Sequence, residues 1–402
     1  MIYKKLKELC ILKNGYAFKS KDFSQNGVPV IKIKNVKPNK IVLEGLSYVP
    51  QEIADSKLEY KISKGDILIT MTGNRADGSP DSWVGKVALF REEGTYLLNQ
   101  RLAIIRPISD DVDLEYLAYY LSSWETQLYF IKRANSSGGQ ANISPSIVGE
   151  YDIALPNKNV QMKIASLLRD FDLKIRLNAN INNNLLEQVL TLYRKRFVDT
   201  VNDERRICRA DEYFDISIGK TPPRKEPQWF STNPQDVTWV SISDMGTCGL
   251  YISSSSEQLT REAVDRHNVK VVPDNTVLLS FKLTVGRIAI TNGEMTTNEA
   301  IAHFKTDKKE INEYLYCYLK CFNYQTMGST SSIATAVNSK IIKGMPFVVP
   351  TDNELKEFHD LAAPMFANIK ANQIETDNLV ALRDTLLPKL MSGELDVSDI
   401  DL

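Results

Sequence analysis

The stretch Ile218-Gly219-Lys220-Thr221 carries the glycine, lysine and hydroxyl that close a phosphate-cradling loop. Such a loop also needs a glycine five places before Gly219, and Phe214 stands there. The segment therefore reads as a turn bearing a basic side chain. Other covalent chemistry is equally short of parts. No Asn-Pro-Pro-aromatic or Asp-Pro-Pro-Tyr sequence exists to hold a flipped adenine, and no glycine-rich strand-to-helix turn offers an S-adenosylmethionine site. Pro80-Asp81 and Pro273-Asp274 lack the acid-x-Lys that completes a common metal-dependent nuclease centre. Of the scattered cysteines only Cys317 and Cys321 are close, and His267, His303 and His359 lie far apart, so a zinc site lacks ligands. The expectation is a non-catalytic chain with reduced thiols and no metal or cofactor of its own.

Charge is what remains, and it is segregated. Residues 1 to 45 hold ten Lys against three acidic residues, a balance of +7, whereas residues 351 to 402 hold four basic against eleven acidic residues, a balance of -7. A basic face suits phosphates, and an acidic helical end suits a protein partner. At 402 residues, 43% hydrophobic, the chain has room for two or three globular domains. No apolar run approaches the roughly 18 residues that cross a bilayer, and Met1-Ile2-Tyr3-Lys4-Lys5-Leu6 lacks the apolar stretch of a signal peptide. A cytoplasmic location without membrane contact is expected.

The elements that must position these charges occur twice. Ile175, Asn178, Asn182, Leu185 and Leu192 fall, 194 positions on, upon Ile369, Asn372, Thr376, Leu379 and Leu386. Ile164, Leu168, Phe171, Ile175, Asn178, Asn182, Leu185, Val189 and Leu192 step by four and three, the spacing of a coiled-coil seam. The second seam is Phe358, Ala362, Met365, Ile369, Asn372, Thr376, Leu379, Arg383 and Leu386. Two such stripes are best buried against each other. Polar residues at Asn178, Asn182, Asn372 and Thr376 would fix the register, with Asn178 near Thr376 and Asn182 near Asn372 in an antiparallel pair. Before each helix, β-branched runs read as strands: Val28-Pro-Val-Ile-Lys-Ile-Lys, Asp66-Ile-Leu-Ile-Thr-Met and Val84-Gly-Lys-Val-Ala-Leu-Phe, then Trp239-Val-Ser-Ile-Ser, Thr276-Val-Leu-Leu-Ser-Phe and Val285-Gly-Arg-Ile-Ala-Ile. A helix over Leu114 to Ser122 precedes a flexible polar loop, Ser136-Ser-Gly-Gly-Gln-Ala-Asn142, and the second half repeats the order near Tyr314 to Lys320 and Gly328-Ser-Thr-Ser-Ser-Ile.

The run Leu9-Cys-Ile-Leu-Lys-Asn-Gly-Tyr-Ala-Phe-Lys19, with Val28 to Val36 after it, is similar to the opening of a target recognition domain in the specificity subunits of type I restriction-modification systems. Gly139-Gln-Ala-Asn-Ile-Ser144 resembles the segment before the first helix of that family, and Leu386-Leu-Pro-Lys-Leu-Met-Ser-Gly-Glu-Leu395 the usual end of the second. After Pro156 the usual acidic Glu-Gln pair is missing, and Ile216 to Arg224 is a less typical opening. The resemblance implies an α+β architecture with pseudo-two-fold symmetry. Two recognition domains of mixed β-sheet with short helices, residues 1–150 and 201–348, are separated by two long antiparallel helices forming a coiled coil, residues 151–200 and 349–402 with its acidic end. A helix from Asn159 to Phe197 would be about 60 Å long at 1.5 Å per residue, enough to serve neighbouring major grooves about 34 to 36 Å apart.

The resemblance also implies partners. Double-stranded DNA would be read at two unlike half-sites. Two methyltransferase subunits and restriction-translocase subunits would supply the chemistry, with S-adenosylmethionine, ATP and Mg bound on them. For phosphate contacts the residue types point to Lys19, Lys21, Lys32, Lys34 and Lys37, with Lys32 and Lys34 sharing a strand face. For base reading, which needs forked or planar donors, they point to Arg75, Gln100, Arg101, Gln140 and Asn142 in the first domain. In the second they point to Lys220, Arg224, Lys225, Lys282, Arg287, Asn338 and Lys340. A stand-alone DNA-binding regulator is the alternative, and an unrecognised enzyme a third; the acidic helical ends favour the assembly subunit.

Overall fold

The computed structural model describes residues 2–75, 82–137, 140–200, 205–282, 284–327 and 337–398. Gly139, Pro80-Asp81 and the loop from Gly328 lie outside them. The chain divides into two compact units, Met1–Lys174 with Leu379–Leu402, and Ile175–Asn378.

In the first unit the apolar runs pair as an antiparallel sheet in the order Val87–Leu89, Ile67–Thr70, Leu102–Pro107, Cys10–Asn14. Beside it lies a mixed sheet of Ser47–Val49, Val28–Ile31, Tyr96–Leu98 and Lys61–Ile62, whose Tyr96–Leu98 runs parallel to Val28–Ile31. Alternation sends Leu68 and Ile104 to one face and Ile67, Ile69, Ala103 and Ile105 to the other, so both faces bury apolar side chains. The helix Leu114–Ser122 covers the latter face, capped by Asp113, whose carboxylate accepts from Tyr116 N at 2.9 Å.

The second unit repeats this plan with a five-stranded sheet, Asp215–Ile218, Ile301–Lys305, Val277–Ser280, Ile288–Thr291 and Tyr251–Ile252, beside a four-stranded one. Equivalent helices carry an equivalent sequence. Glu115-Tyr116-Leu117 and Tyr120-Leu121 recur 198 positions on as Glu313-Tyr314-Leu315 and Tyr318-Leu319. Tyr116 Oη donates to Ala154 O and Tyr314 Oη to Val348 O, each at 2.7 Å, fixing the helix to the strand that leads into a long helix. That strand, Asp152–Leu155 or Pro346–Val349, pairs with the first strand of its own globular part, Ile2–Lys5 or Arg206–Arg209. The opening strand of each globular part thus finds its partner in the strand just before the long helix.

The long helices span Lys158–Tyr193, followed by a π-helical turn Arg194–Val198, and Asp352–Ser392. In the first unit Ile164, Ala165 and Leu168 join Leu387, Leu390 and Met391 in the core, and Asp172 accepts from Arg383 and from Tyr119 Oη, both at 2.7 Å. In the second unit Val189, Leu190 and Tyr193 share a core with Leu355, Phe358, Ala362, Phe366 and Ile369. The apolar face is thus wider than a two-helix seam, and Leu192 and Leu386 sit only half-buried at its margin, because each helix end also covers a globular domain. Between Leu168 and Val189 the one fully buried residue of the first helix is Asn178. It lies in the second unit, where its amide donates to Glu375 Oε2 at 2.7 Å and reaches Thr376 Oγ1 at 3.4 Å. Asn372 Nδ2 donates to Asn182 Oδ1 at 2.8 Å.

Candidate nucleic-acid interface

A short turn at the edge of both sheets displays the most telling side chains. In the first unit Gly15 N donates to Leu102 O, Tyr16 N to Leu98 O, Asn99 N to Ile31 O and Met71 N to Arg101 O. In the second, Gly219 N donates to Ile301 O, Lys220 N to Thr297 O, Asn298 N to Val240 O and Phe281 N to Ala300 O. These bonds equate Gly15 with Gly219, Asn99 with Asn298, and Arg101 with Ala300. Glycine is required at the crossing, since a Cβ on Gly15 would lie 2.1 Å from Asn99 O and one on Gly219 2.1 Å from Thr297 Oγ1.

The centre of the turn differs. Arg101 has φ +70, the left-handed region, whereas among the described residues the other non-glycine residues found there (Asn39, Asn268 and Asn275) are all asparagine. A left-handed residue with a Cβ costs about 1 to 2 kcal/mol. Arg101 is exposed and points Nη1 toward Gln140 Oε1 at 3.5 Å. Ala300, which is not left-handed, is buried, and its turn closes through Ile301 N to Asn298 O at 3.3 Å.

Around Arg101 the first unit gathers part of the expected set. Gln140 and Asn142 lie on Gln140–Asn142, which pairs with Asn135–Ser137 and Thr72–Gly73. The described residues of the segment expected as a flexible loop are thus paired strands, and Asn142 Oδ1 accepts from Thr72 Oγ1 at 2.9 Å. Gln100 is exposed beside Arg101. Arg75 turns back, its Nη2 donating to Ala134 O at 2.7 Å. Lys19, Lys21 and Lys34 are exposed, and Lys37 is half-buried. Lys32 and Lys34 do not share a strand face: Val28–Ile31 ends first, and Ile33–Asn35 is a 3-10 turn in which Asn35 Oδ1 accepts from Lys32 N at 3.0 Å. Lys32 Nζ lies 3.6 Å from the Phe23 ring centroid, and burial, then the Lys34 charge, hold its ammonium below the usual range. Part of the N-terminal charge is neutralised locally, since Lys4 pairs with Asp111, and Lys5 and Lys7 pair with Glu150 and hold its carboxyl down at about 2.

In the second unit Arg224 lies over Phe230 and Trp239, 4.2 and 4.7 Å from their centroids, and donates to Glu257 Oε1 and Oε2 at 2.9 and 2.8 Å. Lys220 is exposed, its carbonyl accepting from Trp239 Nε1 at 3.2 Å. Burial opposes ionisation of Glu299, yet the Thr221 hydroxyl and the charges of Lys282 and Arg224 hold its carboxyl below the usual range. Lys225, Lys282 and Lys340 are exposed. Two expected base readers are occupied in packing. Arg287 Nη1 donates to Ile242 O at 2.5 Å in the wall of a cavity of about 620 Å³. Asn338 caps Ser339–Lys343, its Oδ1 accepting from Ile341 N at 3.0 Å. Sequence reasoning missed Glu257, Phe230 and Trp239, which hold Arg224, although an arginine followed by aromatics is a usable signal. It also missed Glu375, which nothing local marks.

Among the described residues no group of three His, Cys, Asp or Glu side chains could hold a metal ion, and no helix is long and apolar enough to cross a membrane. Burial pushes the Cys10 and Cys248 thiols up to about 12 and about 11, so neither supplies a thiolate at neutral pH.

Residues 2–187 and 204–376 match the family described as the type I restriction modification DNA specificity domain. The chain belongs to this family. Two matches, one per half, agree with the repeated sheets and turns. The chain is similar to the HindI specificity subunit of Haemophilus influenzae, 22% identical over 75% of this chain and 81% of that protein. It is also similar to the MjaIX specificity subunit of Methanocaldococcus jannaschii, 27% identical over 84% and 79%. A crystal structure of a type I restriction-modification S subunit from M. genitalium has the same fold at 16% identity, with a TM-score of 0.56 over 97% of this chain and 95% of that one. As a member of the family the chain is a DNA sequence-recognition subunit and not itself a catalyst.

Proposed function

We propose that this chain reads a bipartite, asymmetric duplex target, one half-site per recognition domain, on behalf of methyltransferase and restriction-translocase subunits. The single observation that carries the reading is the shared turn. One hydrogen-bonded frame holds Gln100-Arg101 in the first unit and Glu299-Ala300 in the second, so the same scaffold presents different chemistry to each half-site. Lysines at the surface add salt-dependent phosphate contacts without sequence information. Two methyltransferase subunits dock on the long helices and flip an adenine in each half-site into their own catalytic pockets. S-adenosylmethionine belongs to them, and ATP and Mg to the restriction-translocase subunits that cleave unmodified DNA. Exposed apolar side chains support docking: Met162, Leu173 and Leu382 in the first unit, and Leu177, Ile181 and Ile374 in the second.

The test is a domain exchange. Residues 201–348 replaced by the matching domain of another specificity subunit, expressed with the methyltransferase, should change one half-site in a methylation map and leave the other intact. A change in both half-sites overturns independent reading. Failure to co-purify with any methyltransferase overturns the assembly role.

A further inference from the structure

The fold does not require a left-handed residue at Arg101. Ala300 occupies the same place in the second unit, between bonds from Phe281 N to its own carbonyl and from Gly219 N to Ile301 O that match those around Arg101, without a positive φ. There Ile301 N donates to Asn298 O, and among the described residues the bond from Gln100 N to Tyr16 O has no counterpart. The left-handed geometry goes with a difference in exposure, since the position is buried in the second unit and exposed in the first. An arginine, whose Cβ meets the backbone in this region, is a poor choice for such a turn; glycine has no Cβ, and asparagine offsets the cost by local hydrogen bonding. Strain that is kept where the scaffold permits its removal points to use of the side chain.

The surroundings indicate the use. Gln100 N donates to Tyr16 O at 2.7 Å and Met71 N to Arg101 O at 2.8 Å, so the turn is pinned on both sides of the arginine Cα. Among the described residues the guanidinium has one hydrogen-bond partner, Gln140 Oε1 at 3.5 Å, which can orient the fork through Nη1. Gln140 sits on a strand whose Asn142 is already held by Thr72, so this partner is on a fixed element. A forked donor on a rigid turn, beside an amide, matches the two acceptors O6 and N7 that guanine alone offers side by side in the major groove.

We propose that Arg101 is a specificity-determining residue that reads a guanine in the half-site of the first unit, positioned by its left-handed backbone and by Gln140. This rests on the reading of the chain as a DNA-recognition subunit. The test uses the full chain with its methyltransferase subunits and a randomised duplex library, followed by competition binding of the selected duplex and its single-base variants. For the wild-type complex one invariant G·C pair is expected in one half-site. Arg101→Gly should bind the selected duplex about 5- to 150-fold more weakly, lose discrimination at that one pair, and melt at the same or a higher temperature, since glycine relaxes the turn. Arg101→Lys should retain the salt dependence of binding and still lose the discrimination, because an ammonium has no fork. Gln140→Ala should weaken discrimination at the same pair. Unchanged base preference in Arg101→Gly or Arg101→Lys overturns the proposal and leaves DNA recognition standing, as does a loss equal on all sequences, which marks a phosphate contact. A wild-type complex that selects no sequence overturns the DNA-recognition reading itself.

Discussion

The two units solve the same folding problem with different polar chemistry at matched positions. Where the first unit has Ile104 in the middle of its central strand, the second has His303, fully buried, with Nδ1 3.0 Å from Ser217 Oγ and Nε2 2.7 Å from Thr297 Oγ1. At Glu115 the first unit ties its short helix to the long one through Arg169, with Arg91 as a second cation; at the equivalent Glu313 the second unit uses His359 at 3.0 Å. The long helices also end differently. The second long helix stops at Gly393, φ +76, a left-handed glycine cap in the first unit. The first ends in a π-turn in the second unit, where the buried guanidinium of Arg205 donates to the carbonyls of Arg196, Phe197 and Thr200 and to Glu354. At His303 and His359 shared backbone with unshared side chains shows that the scaffold tolerates exchange, so these two polar choices are additions to the fold, whereas at the helix ends the backbone itself differs.

The largest difference between the units is expected at Arg205. Its side chain is 7% exposed and joins the end of one long helix to Glu354, which also caps the start of the other by accepting from Thr351 N at 3.0 Å. Arg205→Ala should destabilise the second unit by about 3 to 5 kcal/mol, because a largely buried carboxylate and several helix carbonyls lose their donor. Urea unfolding followed by hydrogen exchange would localise the loss, and an unchanged second unit would show that the cap is dispensable.

Acid should separate the units next. Burial lowers the His303 imidazole from about 6.5 to about 3, so on acidification the unfolded chain takes up a proton that the folded chain refuses. That stability is complete above pH 6.5 and falls as pH drops toward 3, by about 1.4 kcal/mol per pH unit within the window, or roughly 2 kcal/mol between pH 6.5 and 5. His303→Ile, which copies Ile104, should flatten the pH dependence of the second unit and leave the first unaltered. Equal acid sensitivity before and after the substitution contradicts this.

A smaller contrast concerns the helix ties. Glu313 is buried enough that desolvation raises its carboxyl, and removing its donor with His359→Ala should cost about 1 to 3 kcal/mol. Arg169→Ala should cost under about 1 kcal/mol, because Arg169 is 43% exposed and Arg91 still holds Glu115. Thermal melts of the two variants should therefore differ, and equal losses would remove the distinction. The smallest effect is expected at the polar layer. Asn178→Leu should cost about 1 kcal/mol by taking the amide donor from Glu375, offset in part by apolar burial. A stabilised variant would show that Glu375 finds solvent at no penalty.

Much of the fold was legible because its signals are local. The 3.6-residue period set both long helices, and Leu114–Ser122 is a helix over the span its apolar face predicts. The strand runs were found with their ends misplaced, as at Val28–Ile31, since a strand ends where its partner does, not where β-branched residues stop. The candidate site was legible only as a set of residue types. Arg75, Arg287 and Asn338 suit base reading as well as Arg101 does on chemistry alone, yet each is engaged in packing or capping by a backbone group distant or local in sequence.

By itself the sequence determined the duplication, the α+β units with paired long helices, the charge segregation and the shortage of catalytic motifs, because repeats, periodicity and residue type are properties of the chain read in order. Tertiary structure decided the rest. It carried the second long helix through Pro364 and Pro388, each of which removes a helix hydrogen bond and would end an isolated helix, where surrounding core residues such as Phe366 and Leu387 hold the segment in place. It chose which asparagine is buried, which lysines are neutralised, and which arginine faces outward from a left-handed turn, since these follow from contacts between segments tens to hundreds of residues apart, and a local pattern contains no record of them.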